Sequence, residues 1–287
     1  MLLGKKGMKP EAPLFVRIFK EESELEIWKL RDDGHFHHFK TYPICTWSGD
    51  LGPKLAQGDK QAPEGFYSIQ KSQMNPNSSF HLAFNLGFPN AYDRAHGRTG
   101  SALMVHGKCK SAGCYAMTDA LIEEIYALAR ETFDAGHASF QVHAYPFRMT
   151  DANMARHQGS KWMEFWKTLK EGHDHFEVTR QPPSVVVCGK RYHVNARPLQ
   201  NVAMRIDPVA NCPNLERAPL TPFRPSGDQQ VADARVIAPG PKMRAIAATP
   251  EASRSTTATL QGLTNGTLGS RGAVSGGVSL GLSAPND

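Results

Sequence analysis

The stretch 103–119, LMVHGKCKSAGCYAMTD, puts one imidazole and two thiols close together: His106, Cys109 and Cys114. Those residue types open three chemistries. As metal ligands in an H-x2-C-x4-C pattern they supply three donors, whereas structural zinc takes four. The fourth would have to come from His81, His96 or a remote cysteine, and none stands at a familiar spacing. As a redox pair, Cys109 and Cys114 are near enough in sequence to bridge across a loop in an oxidising compartment. As a catalytic pair, Cys114 is the nucleophile and His106 its general base. The plain alternative makes both cysteines small buried apolar residues. It suits Cys109 poorly, because Lys108 and Lys110 flank it.

The chain has five cysteines: Cys45, Cys109, Cys114, Cys188 and Cys212. An odd number leaves at least one thiol unpaired in a monomer. No C-x-x-C pair occurs, which weakens zinc-ribbon and thioredoxin-like assignments.

A catalytic role for Cys114 accounts for most of its neighbours. Gly113 removes a side chain where a carbonyl must approach, and permits an unusual backbone angle. N–H groups around Gly113, Cys114 and Tyr115 then face a developing oxyanion. A helix capped by Thr118 or Asp119 starts just afterwards, and its positive end is expected to lower the thiol pKa. His106 closes the apolar run Ala102–Val105 ahead of Gly107, so it stands at a strand end across a loop from the sulfur.

Around this pair the pattern predicts a β-rich domain. LFVRIFK, ELEIWKL, HFHHFK and TYPICTW are short runs rich in aromatic and β-branched residues, separated by turn-forming stretches. Further strands are expected at Phe66–Ile69, Phe80–Leu86, Ala102–His106, SFQVHAYPF and PSVVVCGKRYHVN. LIEEIYALARETF sets Leu121, Ile122, Ile125, Leu128, Ala129 and Phe133 at helical spacing. Two more helices are expected from Thr150 and from Ser160, the latter with Trp162, Phe165, Trp166 and Leu169 on its core face. The fold class is α+β: a sandwich or partly closed barrel with helices packed on one side.

The residues Val105-His106-Gly107 and Ser111-Ala112-Gly113-Cys114-Tyr115-Ala116-Met117 resemble the HG … S-x-G-C motif of L,D-transpeptidases, the YkuD-type catalytic domain. The likeness is to the YafK-type subgroup of that family. Ala62-Pro63-Glu64-Gly65-Phe66-Tyr67 resembles the family's P-x-G-x-[FY] strand entry, and FHLAFNLGFPNAYDRAHGRTGSALMVHG the segment feeding the histidine. The resemblance covers about residues 12–195. The usual motif is S-H-G-C with an arginine two residues after the cysteine; Ala112 and Ala116 stand at those places here, as in the subgroup.

The resemblance implies a reaction without a cofactor or metal. Cys114 attacks the carbonyl of the third residue of a peptidoglycan stem tetrapeptide. D-Alanine leaves, and an amine of a second stem takes the acyl group from the thioester. His106 handles the protons. Gly113 with Tyr115 marks the oxyanion site, while Ser111, Gly107, Asn85, Tyr92 and Asp93 are candidates for the substrate groove. For Asn85 and Asp93 the plain role is turn or cap, and for Tyr92 packing. The subgroup also includes a hydrolase that releases a wall-linked lipoprotein, which makes a thiol hydrolase the competing function. A non-catalytic wall-binding module is the third.

Composition narrows the setting. Lys and Arg exceed Asp and Glu by 33 to 27, a formal net charge of +6, which suits an anionic polymer. The basic residues are scattered with no run of five, so nucleic acid is not the expected partner. No apolar run is long enough to span a bilayer, and no secretory leader is visible in MLLGKKGMKPEAP. The family's substrate nonetheless implies a periplasmic enzyme whose leader lies upstream or was removed. The catalytic domain is expected over 12–197. Residues 198–287, rich in Ser, Thr, Gly and Ala, are expected to form a mostly disordered tail, with a short ordered piece near Cys212.

Overall fold

The computed structural model describes residues 2–199 and 206–224. Two five-stranded sheets carry the fold. The first is ordered β3-β2-β1-β10-β5 and is built from β1 (Leu14–Phe19), β2 (Glu24–Leu30), β3 (Phe36–Pro43), β5 (Gly65–Gln70) and β10 (Ser139–Tyr145). The second is ordered β4-β9-β8-β7-β6, from β4 (Thr46–Trp47), β6 (Met74–Ser78), β7 (His81–Asn85), β8 (Met104–His106) and β9 (Tyr115–Ala116). Within each sheet one neighbouring pair is parallel, β1 with β10 and β8 with β9. The arrangement is α+β and β-rich, with no closed barrel.

The helices are α1 (Leu2–Lys5), α2 (Ala91–Ala95), α3 (Asp119–Asp134), α4 (Asp151–Arg156) and α5 (Met163–Thr179). The apolar stripe of α3 buries Ile122, Ile125, Leu128, Ala129 and Phe133. It packs with Val16, Ile18, Val142 and Ala144 of the first sheet and Phe84, Val105 and Tyr115 of the second. Helix α5 covers the other face of the first sheet, where Phe165, Trp166 and Leu169 meet Phe19, Phe66, Tyr145 and Phe147. The two long helices therefore flank the first sheet rather than sharing a side. This explains why β1 is buried at every position instead of alternating. Each such core side chain contributes on the order of 1.5–3 kcal/mol.

PSVVVCGKRYHVN folds as a hairpin, β11 (Val185–Cys188) with β12 (Arg191–Val194), not as one strand. Beyond the expected boundary at 197 the chain stays ordered in part. β13 (Ala196–Pro198) pairs with β14 (Leu215–Arg217), Cys212 is bonded to Cys188, and the Phe223 N–H donates to the Val178 carbonyl. Residues 225–287, the greater part of the expected tail, lie outside the described residues. Among the described residues no helix is long and apolar enough to cross a membrane.

Candidate active site

Strand alternation decides where the reactive groups point. In the parallel pair β8–β9, Val105 stands opposite Tyr115 and His106 opposite Ala116. Val105 and Tyr115 enter the core. His106 therefore faces the other side of the sheet, and Cys114, one residue before β9 and opposite Met104, faces the same way. The Met104 N–H donates to Cys114 Sγ at 3.4 Å, which confirms that register. Imidazole and thiol thus share one face of adjacent strands, two register positions apart, and the thiol itself donates to the Ala102 carbonyl at 3.6 Å.

His106 is 3% exposed. Its Nδ1 lies 2.6 Å from the Gly107 carbonyl oxygen. A carbonyl only accepts, so Nδ1 carries the proton and Nε2 is left as the acceptor. The Phe80 ring packs against the imidazole at 4.7 Å between centroids. Burial pushes the imidazole below its ordinary pKa, against the opposing pull of the Gly107 carbonyl.

The Cys114 thiol is half-buried, and it is free while the other four cysteines are bonded. Burial pushes its pKa up; the Met104 N–H and the Lys54 charge pull the other way. The thiol-lowering effect expected of α3 is thus not what dominates. The start of that helix carries Asp119, whose carboxylate accepts from the Lys108 N–H at 2.7 Å, and the acid offsets the helix's positive end. Both shifts run in the direction that favours the uncharged forms, thiol and imidazole.

The turn before the sulfur is held by Ser111. Its hydroxyl donates to the Cys114 carbonyl at 2.7 Å, accepts from the Gly113 N–H at 3.3 Å, and lies 3.2 Å from the Ser48 hydroxyl. Gly113 has φ +121°, and a Cβ there would sit 3.2 Å from Leu103 Cδ1 and 3.5 Å from the Gln61 carbonyl. Gly107 is enclosed more tightly: a Cβ would lie 2.6 Å from Asp119 Oδ1 and 3.1 Å from the Phe80 carbonyl oxygen. The side chain of Tyr115 is fully buried and its hydroxyl donates to the Pro63 carbonyl at 2.6 Å, so it anchors the 48–64 loop from below.

That loop is itself pinned from the core. Lys20 Nζ, fully buried, donates to the carbonyls of Asp50, Gly52 and Ala62 and to Glu64 Oε1. Glu64 also accepts from the Gly52 N–H and from Trp166 Nε1 of α5. Lys54, buried beside Gly100, is paired with Asp59. Lys20, Lys54, Gln61 and Asp119 had no sequence signal for this site, except that Asp119 stands where a helix should start.

The remaining candidates divide. Asn85 stands opposite Met104 on β7, on the same sheet face as the sulfur, and its Oδ1 accepts from the Gly87 N–H. Tyr92 and Asp93 are not brought to that face. Tyr92 stacks on Tyr192 at 4.3 Å and on Phe165 at 5.3 Å. Asp93 is fully buried, bonded to Arg98 and to the Asn90 N–H, and caps its own helix. Cys109 leaves the triplet as well: its sulfur is bonded to Cys45, not Cys114. This removes both the H-x2-C-x4-C ligand set and the 109–114 bridge. Among the described residues the grouping with metal-ligand geometry is Cys188, His193 and Cys212, where the two sulfurs are bonded to each other.

The pattern of the YkuD family, the L,D-transpeptidase catalytic domain, matches residues 17–142. A protein of Escherichia coli (strain K12) named "Putative L,D-transpeptidase YafK" is 48% identical over 200 residues, which cover 70% of this chain and 80% of that protein. The protein of the same name from Escherichia coli O157:H7 matches equally. Among solved structures, the helical cell shape determining protein Pgp2 of Campylobacter jejuni overlaps 64% of this chain and 78% of its own, with TM-score 0.38 and 16% identity. Bd1075 of Bdellovibrio bacteriovorus overlaps 57% and 60%, with TM-score 0.32 and 20% identity.

Proposed function

The chain belongs to the L,D-transpeptidase (YkuD) catalytic-domain family, and from that premise we propose that it acts on peptidoglycan stem peptides through a thioester on Cys114. What supports the proposal is a free thiol and an imidazole on the same face of the parallel pair β8–β9, the ring held at Nδ1 by the Gly107 carbonyl so that Nε2 is left as an acceptor.

In this mechanism His106 Nε2 takes the Cys114 proton as the sulfur attacks the carbonyl of the third stem residue. The oxyanion is met by the backbone N–H groups of Cys114 and Gly113, the latter released from Ser111. His106 returns the proton to the departing D-alanine amine. An amine of a second stem then attacks the thioester, closing a cross-link and freeing the thiol. The enzyme works in the periplasm: two disulfides suit an oxidising compartment, and the net charge suits an anionic wall polymer.

A second reading makes water the acceptor, which turns the same site into a thiol hydrolase for stem peptides or a wall-linked lipoprotein. What favours it is Ala116, fully buried opposite His106 where the usual motif carries arginine, with the nearby Lys54 already paired to Asp59.

Incubation with a carbapenem is expected to add one drug mass per chain, on Cys114, and none to Cys114→Ala. With disaccharide-tetrapeptide the protein releases D-alanine. Joined stems in the product mean transfer; a gain of water alone means hydrolysis. Turnover by Cys114→Ala would defeat both readings.

A further inference from the structure

The bond between Cys45 and Cys109 takes no part in the proposed chemistry, yet it sits on the loop that joins base to nucleophile. That loop, 107–113, carries Lys108 and Cys109 with φ of 61° and 52°. Two consecutive non-glycine residues in the left-handed region are unfavourable by roughly 1–2 kcal/mol each, so the turn needs outside restraint. Three contacts supply it: the Lys108 N–H to Asp119, the Lys108 ammonium to the Ser79 carbonyl, and the Cys109 N–H to the Met117 carbonyl. Cys45, from the other side, donates its N–H to the Ala116 carbonyl. The two cysteines therefore hold the successive carbonyls of Ala116 and Met117, at the end of the short strand β9 that follows the nucleophile, and their sulfurs close the clasp, with Cα atoms 5.4 Å apart.

We propose that Cys45 and Cys109 are a redox-dependent positioning pair: bonded, they hold His106 and Cys114 in reacting geometry; reduced, they release the 107–113 loop and the site loses activity. Cys109 is exposed and Cys45 half-buried, so a dithiol can reach the bond. Its thiolate attacks Cys109 sulfur, Cys45 leaves as the thiolate, and the reductant's second thiol resolves the mixed disulfide. Two cysteine thiols form and the reductant becomes a disulfide, so two electrons and two protons are transferred. The effect on activity rests on the proposed role of Cys114; the restraint on the loop does not.

The test compares the full-length oxidised protein with Cys45→Ser/Cys109→Ser, using carbapenem acylation of Cys114 and hydrogen exchange at the Cys109 and Met117 amides. Far-UV circular dichroism checks the fold. The expected result is acylation slower by about tenfold or more, since small misplacements of reacting groups cost that much, with faster exchange at both amides and an unchanged spectrum. Equal acylation and equal exchange overturn the proposal. If the oxidised wild type is not acylated at all, the thioester reading fails, and the exchange data alone decide the restraint. Should the double serine variant unfold, Cys188→Ser/Cys212→Ser keeps only this bond. Its acylation is expected to fall on mild reduction and recover on reoxidation; constancy through the cycle overturns the proposal. Alkylation of denatured, unreduced wild type is expected at Cys114 alone, and labelling of Cys45 or Cys109 counts against it.

Discussion

In the proposed mechanism the two ring nitrogens of His106 have different tasks, and the backbone decides which is which. Because the Gly107 carbonyl holds Nδ1–H, the lone pair on Nε2 is available as base. Burial keeps the ring neutral to lower pH than an ordinary histidine, and it keeps the thiol protonated to higher pH. Acylation of Cys114 is therefore expected to rise with pH as His106 loses its proton, with a midpoint below the ordinary value of about 6.5, and to hold level through neutrality. A stopped-time pH–rate series checks this, and a midpoint above the ordinary value would contradict it. His106→Ala should cost about 100- to 10,000-fold in rate. Gly107→Ala is the subtler case. Its new methyl collides with Asp119 and the Phe80 carbonyl, so it moves the carbonyl that orients the ring. A loss of about 10- to 100-fold in kcat with a native circular dichroism spectrum is expected, as for other small displacements of catalytic groups.

Among the elements, the 48–64 loop depends most on a single pair of charges. Lys20 and Glu64 are both fully buried, and between them they bond four backbone groups of the loop and the indole of Trp166. Glu64→Gln or Lys20→Met leaves the partner buried and uncompensated, at a cost of about 3–5 kcal/mol. Urea unfolding measures it, and a change under about 1 kcal/mol would mean that water replaces the lost partner. This pair also marks the limit of what the sequence discloses. Strands β2, β7 and β10 and helix α3 were legible because each repeats its apolar residues at the period of its own structure, and β1 and β5 because they are short aromatic-rich apolar runs. Helix α2 is five residues long and has too few turns to show a period. The β11–β12 hairpin did carry a local signal, the two-residue turn Gly189-Lys190 between its apolar runs, but the runs are too short to be told from one interrupted strand. His106 and Cys114 were legible as a pair because they are close in sequence and match a known motif. Lys20 and Glu64 are 44 residues apart, and Cys45 and Cys109 are 64 apart; a pairing over such distances has no local signature. Tyr92 and Asp93 lie near His106 in the sequence but fold into the packing around α5.

At the scale of the whole molecule, burial holds five histidines below their ordinary pKa: His38 at about 4, His143 well below, and His106, His173 and His175 in the same direction. As the pH falls through about 6.5 the unfolded chain binds protons at these positions and the folded chain does not. Stability is thus full above that value and is lost progressively toward pH 4. Thermal melts between pH 7.5 and 4.5 should show a falling Tm, and a flat profile would contradict the burial of these rings. The alternation in β8 and β9 has one last consequence, for which sequences can support this chemistry at all. The link from residue 107 to 113 lies outside both strands, so a change in its length disturbs the clasp at Cys45 and Cys109 but leaves the alternation of the strands intact. An insertion of one residue within either strand is different, since it changes odd positions to even ones. The imidazole or the sulfur would then turn inward among Phe84, Val105 and Ile122, and the two would face opposite sides of the same sheet. Within the strands, drift in such a chain is therefore restricted to paired, two-residue steps.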